Sequence, residues 1–147
     1  MKKLNIAIGS DHAGFKLKEK LKEFLNEEGH KVKDFGSFSE ESADYPDFAH
    51  PVANAVEKKE VDFGILMCGS GNGINMAANK HTGIRSALCW KKEIAILARQ
   101  HNDANILTLP AKFISENEAK EMVEVFINTT FEAGRHLNRV NKINKII

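Results

Sequence analysis

The chain has 147 residues, 42% of them apolar and 28% charged, with a formal net charge of +1. That length fits one domain with a buried core, and the near-neutral charge argues against a nucleic acid or an acidic surface as partner. Its two cysteines, Cys68 and Cys89, lack the spacing of a disulfide framework or a zinc site; no apolar run can span a membrane and the one behind the basic start is too short for a signal peptide, so the expected compartment is the cytoplasm.

In chain order the elements alternate. "LNIAI" (4–8) predicts a short buried strand, and Leu17, Leu21, Phe24 and Leu25 follow at helical spacing up to a stop at Gly29. "KVKDF" (31–35) alternates like a second strand. A polar loop ending at Tyr45 and Pro46 leads to a helix carrying Phe48, Val52 and Val56, which Pro51 should kink or start late. "VDFGILMC" (61–68) predicts the third strand, and "NGINMAANK" (72–80) opens the third helix. "IRSALC" (84–89) is a fourth strand, "KKEIAILARQH" (91–101) a helix, and "NILTL" (105–109) a fifth strand. "SENE" (115–118) is a capping-box pattern ahead of a helix with Ala119, Met122, Val123, Phe126 and Ile127 on one face. In the tail, Leu137, Val140, Ile143 and Ile146 or Ile147 fall on one face, and Arg135, Arg139 and Lys142 on another.

Five apolar strands separated by helices imply βαβ units and a parallel sheet. The expected fold is α/β: a single-domain, three-layer αβα sandwich over residues 1–147, with a Rossmann-like or flavodoxin-like five-stranded sheet and an extra C-terminal helix. The strand order expected is 2-1-3-4-5, with right-handed crossovers.

In such sheets ligands bind beyond the carboxyl ends of the strands. That rule gathers Ser10, Asp11 and His12 after strand one, Tyr45 after strand two, Cys68 and "GSGNG" after strand three, and Lys112 after strand five. Cys68 would stand at the last position of a strand, just ahead of a helix N-terminus. Unpaired N–H groups there favour the thiolate, a usable base or nucleophile. The glycines let backbone N–H groups approach an anion, and Ser70 adds a hydroxyl. A base beside an oxyanion-binding loop suits proton abstraction next to a carbonyl. A packed strand-end cysteine beside a phosphate-holding loop fits these features equally well. Neither the Walker spacing nor the dinucleotide glycine fingerprint is present.

The segments "GSDHAG", "DYPDFA", "CGSGNGINMAANK", "GIR", "RQHNDANIL" and the tail Gly134-Arg135-His136 with Arg139-Val140 resemble, in this order, the ribose-5-phosphate isomerase B family, which includes the galactose-6-phosphate isomerase subunits. The resemblance spans nearly the whole chain. It implies interconversion of a phosphorylated aldose and ketose through an enediolate, without metal or cofactor, by a homodimer or dimer of dimers. It assigns Cys68 as the proton-abstracting base and Gly69, Ser70, Gly71, Asn72 and Gly73 as the loop holding the enediolate oxygens. Asp11, His12 and Tyr45 become substrate-binding residues. His101 becomes the group that opens the furanose ring, with Asn102 beside it, and Arg135 and Arg139 bind phosphate. Two positions depart from the pattern: Lys112 stands where the family usually has arginine, losing the bidentate fork, and Ser70 replaces the commoner threonine.

On their residues alone, Asp11 also reads as a helix cap, His101 as a cation at a helix C-terminus, and Arg135 with Arg139 as a solvated face. His30, His50 and His81 read as surface residues without metal-ligand spacing.

Topology adds one expectation. The helix carrying His101 returns to the amino edge of the sheet, about a strand length (~15–20 Å) from Cys68. A catalytic His101 would therefore serve a neighbouring subunit's site, with the basic segment 135–147 at the same interface. A six-carbon sugar phosphate is the competing substrate, and a flavodoxin-like phosphate-binding module the competing class.

Overall fold

The computed structural model describes residues 2–146. A five-stranded, all-parallel sheet is built from β1 (Asn5–Ser10), β2 (Lys31–Asp34), β3 (Phe63–Cys68), β4 (Ser86–Leu88) and β5 (Ile106–Pro110). The helices are α1 (Phe15–Glu27), α2 (Pro46–Glu57), α3 (Asn72–Ala78), α4 (Lys92–Asn102), α5 (Glu116–Asn128) and α6 (Arg135–Lys142), and one 3-10 turn, His12–Gly14, precedes α1.

The strand order is β2-β1-β3-β5-β4, not the expected 2-1-3-4-5. The reason lies in strand burial. All five residues of β5 are buried, whereas β4 is three residues long and half-buried at its end. A fully apolar strand gains most between two neighbours, and the short one can stand at the edge. The chain therefore steps over one position from β3 to β4 and comes back to β5.

With right-handed crossovers, that reversal decides which face each helix covers. Leu21 and Leu25 of α1, Ala95 and Ala98 of α4, and Met122, Val123 and Phe126 of α5 pack with Ile6, Ile8, Ile65 and Met67 on one face. Val52, Ala53 and Val56 of α2 and Ile74 and Ala78 of α3 pack with Ala7, Leu66 and Cys68 on the other. Alternate residues of β3 thus serve opposite layers, as the strand pleat requires.

The helix ends follow their sequence signals closely. Ser115 caps α5 in a full capping box: its hydroxyl accepts the Glu118 N–H at 3.1 Å while the Glu118 carboxylate accepts the Ser115 N–H at 2.8 Å. The departure is in α2, which starts at Pro46 and runs through Pro51. Pro46 supplies a pre-set first turn. Pro51 forgoes one helical bond, which the buried face Ala49, Val52, Ala53 and Val56 offsets. The helix of the tail is shorter than 135–147, ending at Lys142, and Ile147 lies outside the described residues. Leu137 and Ile143 remain about half exposed, and the residue of α6 that is buried is His136.

Among the described residues, one charged side chain lies wholly inside. Lys18 is 0% exposed; its ammonium is 2.7 Å from Asp34 Oδ2 and 2.6 Å from Glu19 Oε2, and faces the rings of Phe15 and Phe38. Lys22 also reaches Asp34, at 2.9 Å, and the other Asp34 oxygen accepts the Gly36 N–H at 2.9 Å. Burial pushes the Asp34 carboxyl up, but the bonds from Lys18, Lys22 and Gly36 outweigh it and hold the group below the ordinary aspartate value.

Removing the buried cation should therefore be costly. Lys18→Met is expected to lower stability near neutral pH by about 3 kcal/mol, since Asp34 would stay buried with only Lys22 as counter-ion. A depressed carboxyl stabilises above its unfolded pKa, and that contribution is lost as pH falls through the lower folded value. The gap between wild type and variant should thus narrow as pH drops below about 4. Thermal melts across that range check this; equal melting temperatures at neutral pH would rule it out.

Candidate active site

The carboxyl ends of β1, β3 and β5 lie side by side, with Ser10 paired to Met67 and Cys68 to Pro110. Ser10 ends β1 at this rim, but its side chain points into the interior. Its hydroxyl is buried without a partner among the described residues, while its backbone N–H donates to Gly36 and its carbonyl accepts from Ser37.

Asp11 does cap, as one reading of the sequence required. Its Oδ1 accepts the N–H groups of Ala13 (2.9 Å) and Gly14 (3.2 Å), and neither bond uses Oδ2. The turn it starts lies flat on β3: a Cβ added at Gly14 would come within 2.7 Å of the Met67 carbonyl oxygen. Only glycine permits that approach. His12 then accepts the Ala43 N–H on Nδ1 at 3.1 Å, which ties the turn after β1 to the long loop after β2.

That loop delivers Tyr45 to the glycine-rich segment. Its ring covers Gly73, where a Cβ would stand 2.5 Å from Tyr45 Cζ. From the other side, the Lys112 N–H donates to the Gly69 carbonyl at 3.0 Å, and the Lys112 aliphatic chain lies over Gly69, which Ala13 also approaches. Gly71, at φ +78°, makes the turn into α3; a Cβ there would also strike Leu88 at 2.5 Å. Ser70 Oγ accepts the Asn72 N–H at 3.2 Å, leaving the hydroxyl hydrogen free to be donated. Asp11, His12, Tyr45, Cys68, the loop Gly69–Gly73 and Lys112 are therefore one cluster on the carboxyl rim.

Cys68 is 5% exposed, on the α2 and α3 side of the sheet, at the floor of this cluster. Cys89 is fully buried, and burial pushes its thiol up to about 12.

His101, Asn102, Arg135 and Arg139 stand elsewhere. The Asn102 carbonyl accepts from Arg85, the residue preceding β4, at 3.1 Å, so the end of α4 lies at the amino edge of the sheet. The chain after α6 meets the same edge, where the Asn144 amide donates to the Thr82 carbonyl at 2.8 Å. α6 packs on α4 and carries the two arginines on its exposed side. Within one chain His101 therefore stands at the opposite edge of the sheet from Cys68.

Two residues at this second cluster, Glu132 and His136, carried no role in the sequence reading, although His136 stands in the tail motif. The His136 ring stacks on His101, centroids 4.2 Å apart and planes at 11°, and Glu132 Oε1 lies 3.9 Å from His101 Nε2 and 3.6 Å from His136 Nε2. Burial, the neighbouring His101, and Arg135 and Arg139 hold the His136 ring below the usual histidine value, against the opposite pull of Glu132. Potential ligand atoms of the three residues lie within 4.8 Å of one another. The near-parallel rings, however, aim their lone pairs side by side, and a metal ion prefers to lie in the plane of each imidazole that binds it. The arrangement is better suited to handling a proton. Ala133 and Gly134, at φ +58° and +53°, turn the chain so that Glu132 and His136 face the same ring. No periodicity announces that turn. Of the histidines read as surface residues, His30 is buried, its Nδ1 accepting the Leu4 N–H, and His81 is held by Glu57 against His50.

A family model described as ribose/galactose isomerase matches residues 6–143. The ribose-5-phosphate isomerase B of Escherichia coli is 46% identical over 141 residues, which cover 96% of this chain and 95% of the relative. Among solved structures, a ribose 5-phosphate isomerase from Thermotoga maritima superposes with a TM-score of 0.96 at 50% identity, over 97% of this chain and 99% of that one. The ribose-5-phosphate isomerase B of Mycoplasma genitalium, solved with bound ribulose-5-phosphate, gives 0.92 at 43% identity, over 96% and 94%.

The two thiols should differ in reactivity. At about pH 8 an alkylating reagent is expected to label Cys68 in the folded protein and to spare Cys89 until the chain is unfolded. Peptide mass spectrometry of the labelled protein checks this. Equal labelling of both would contradict the burial of Cys89.

Proposed function

The chain belongs to the ribose/galactose isomerase family, and from that membership we propose that it is a cofactor-free aldose–ketose isomerase interconverting ribose 5-phosphate and ribulose 5-phosphate. The observation that carries the reading is Cys68 at the floor of a glycine-rich loop, flanked by Asp11, His12, Tyr45 and Lys112. A base, a set of backbone donors and a cation share one rim, as removal of a proton beside a carbonyl needs.

In this mechanism Cys68, as thiolate, takes the proton from C2 of the open-chain aldose and returns it to C1. The electron pair of the broken C–H bond forms the C1–C2 double bond of an enediolate, and the carbonyl pair moves to O1. Loop N–H groups and the Ser70 hydroxyl stabilise the developing charge, each such donor being worth about 3 kcal/mol. Asp11, through the oxygen not used by the turn, orients a substrate hydroxyl as the proton on O2 moves to O1. Asn72 and Tyr45 line the sugar, and His12 and Lys112 face its anionic end. Free Cys68 and Cys89 suit a reducing compartment, here the cytoplasm.

The remaining parts come from a second chain. His101, with Asn102 beside it, opens the furanose ring, and Arg135 and Arg139 grip the phosphate by charge-assisted hydrogen bonds. Their place at the amino edge supports a homodimer, or a dimer of dimers, in which the segment 135–147 reaches the partner's rim.

Two experiments test this. Purified protein, free of added metal, is expected to isomerise ribose 5-phosphate, and Cys68→Ser to lose most turnover while retaining substrate binding, because a serine hydroxyl is far less acidic than a thiol. Turnover of galactose or allose 6-phosphate in preference to the pentose would move the substrate to six carbons, and unimpaired Cys68→Ser would remove the base.

Subunit mixing tests the sharing. Cys68→Ala and His101→Ala proteins, each nearly inactive, should recover roughly a quarter of wild-type activity after dissociation and random reassembly, because half the dimers are mixed and each mixed dimer holds one intact site. Activity that stays at the parental level despite verified exchange would return both residues to one chain.

A further inference from the structure

We infer that His136 and Glu132 are positioning residues that hold the His101 imidazole for ring opening. The inference rests on the proposed ring-opening task of His101 and adds to it the two side chains that fix the ring.

Ribose 5-phosphate in solution is a furanose, whose C1 is a hemiacetal without a carbonyl to activate. Opening it breaks the C1–O4 bond. The bonding pair stays on O4, which takes a proton from an imidazolium; the O1–H pair becomes the second bond of the C1 carbonyl, and that proton passes back to the imidazole. A single ring can serve both transfers only if it is held in the right plane while they occur.

A histidine at the end of a surface helix has no such restraint of its own. The His101 side chain is 37% exposed, and its helix ends one residue later. Here one face of the ring lies on His136, whose side chain is only 8% exposed and so acts as a fixed plate. The Nε2 edge faces the Glu132 carboxylate at 3.9 Å, an ion-pair distance that sets the direction of the ring without a short bond. The Glu132 main chain is anchored beside the ring, because its N–H donates to the carbonyl of Gln100, the neighbour of His101, at 3.0 Å. The His136 N–H is satisfied by Ala133 at 2.9 Å across the same turn. One ring face and the Nε2 edge are thus defined by protein, and the in-plane Nδ1 edge, which makes no hydrogen bond among the described residues, is left for the sugar.

The chemistry of the two substrates gives a test that separates positioning from general damage. In ribulose 5-phosphate the keto carbon is C2, and the hydroxyl that would close a five-membered ring on it, O5, is esterified. The ketose is therefore open-chain and reaches Cys68 without ring opening. His136→Ala and Glu132→Gln are expected to slow initial turnover of ribose 5-phosphate about ten-fold or more, while consumption of ribulose 5-phosphate stays within about two-fold of wild type. His136→Phe, which keeps a stacking plate, should recover part of the lost rate. The pH profile for ribose 5-phosphate should change in Glu132→Gln, and that for ribulose 5-phosphate should not.

Equal losses in both directions, or no loss with the aldose, would overturn the inference and leave the pair as packing at the end of α4. Inactivity of the unmodified protein toward both sugars would overturn the isomerase reading itself, and the inference with it.

Discussion

The central position of β3 is the constraint on which the rest of the molecule depends. Its neighbours are β1 and β5, and the helices that follow those two strands cover one face of the sheet while α3 covers the other. Opposite departures leave a crevice at a strand pair, and β3 has one on each flank. Cys68, as its last residue, is bordered by both. The order β2-β1-β3-β5-β4 accounts for this, because it lets α5 leave on the far face from α3. Under 2-1-3-4-5 the strand beside β3 would have been a short one, and Lys112, which follows β5, would have stood a strand further away.

Around that strand the rim is held by polar ties rather than by apolar packing alone. The Lys18–Asp34 pair fixes the end of β2 to α1, and Asp34 holds Gly36 at the start of the long loop. Further along, Ala43 is held by His12, and Tyr45 lies on Gly73. A buried cation thereby supports side chains far from it in sequence. A buried ion pair is weak evidence for stability by itself; its consequence here is geometric, since it fixes where a loop without regular structure begins.

The fold class was legible because five short apolar runs alternated with helix-period segments, and the Ser115–Glu118 capping box was readable as written. Strand order was not, since periodicity reports burial and not neighbours, although the full burial of "ILTLP" against the brevity of "SAL" held part of the answer. The carboxyl-rim cluster followed from strand direction alone. The role of Lys18 was hidden because a lysine at a helical core position reads as surface, and its partner lies on another element. His136 and Glu132 were given no role for a different reason: the turn at Ala133 and Gly134 that brings both to the His101 ring has no periodic signature.

The bond from Ala43 to His12 has a consequence for the tautomer at the rim. A ring nitrogen that accepts a backbone N–H must present its lone pair, so Nδ1 of His12 carries no hydrogen while that bond stands. The neutral ring then bears its hydrogen on Nε2, and toward a ligand it is a donor only. A phosphoryl or carbonyl oxygen is matched by such an edge and a hydroxyl hydrogen is not. The loop after β2, by closing on one nitrogen, selects what the other can recognise.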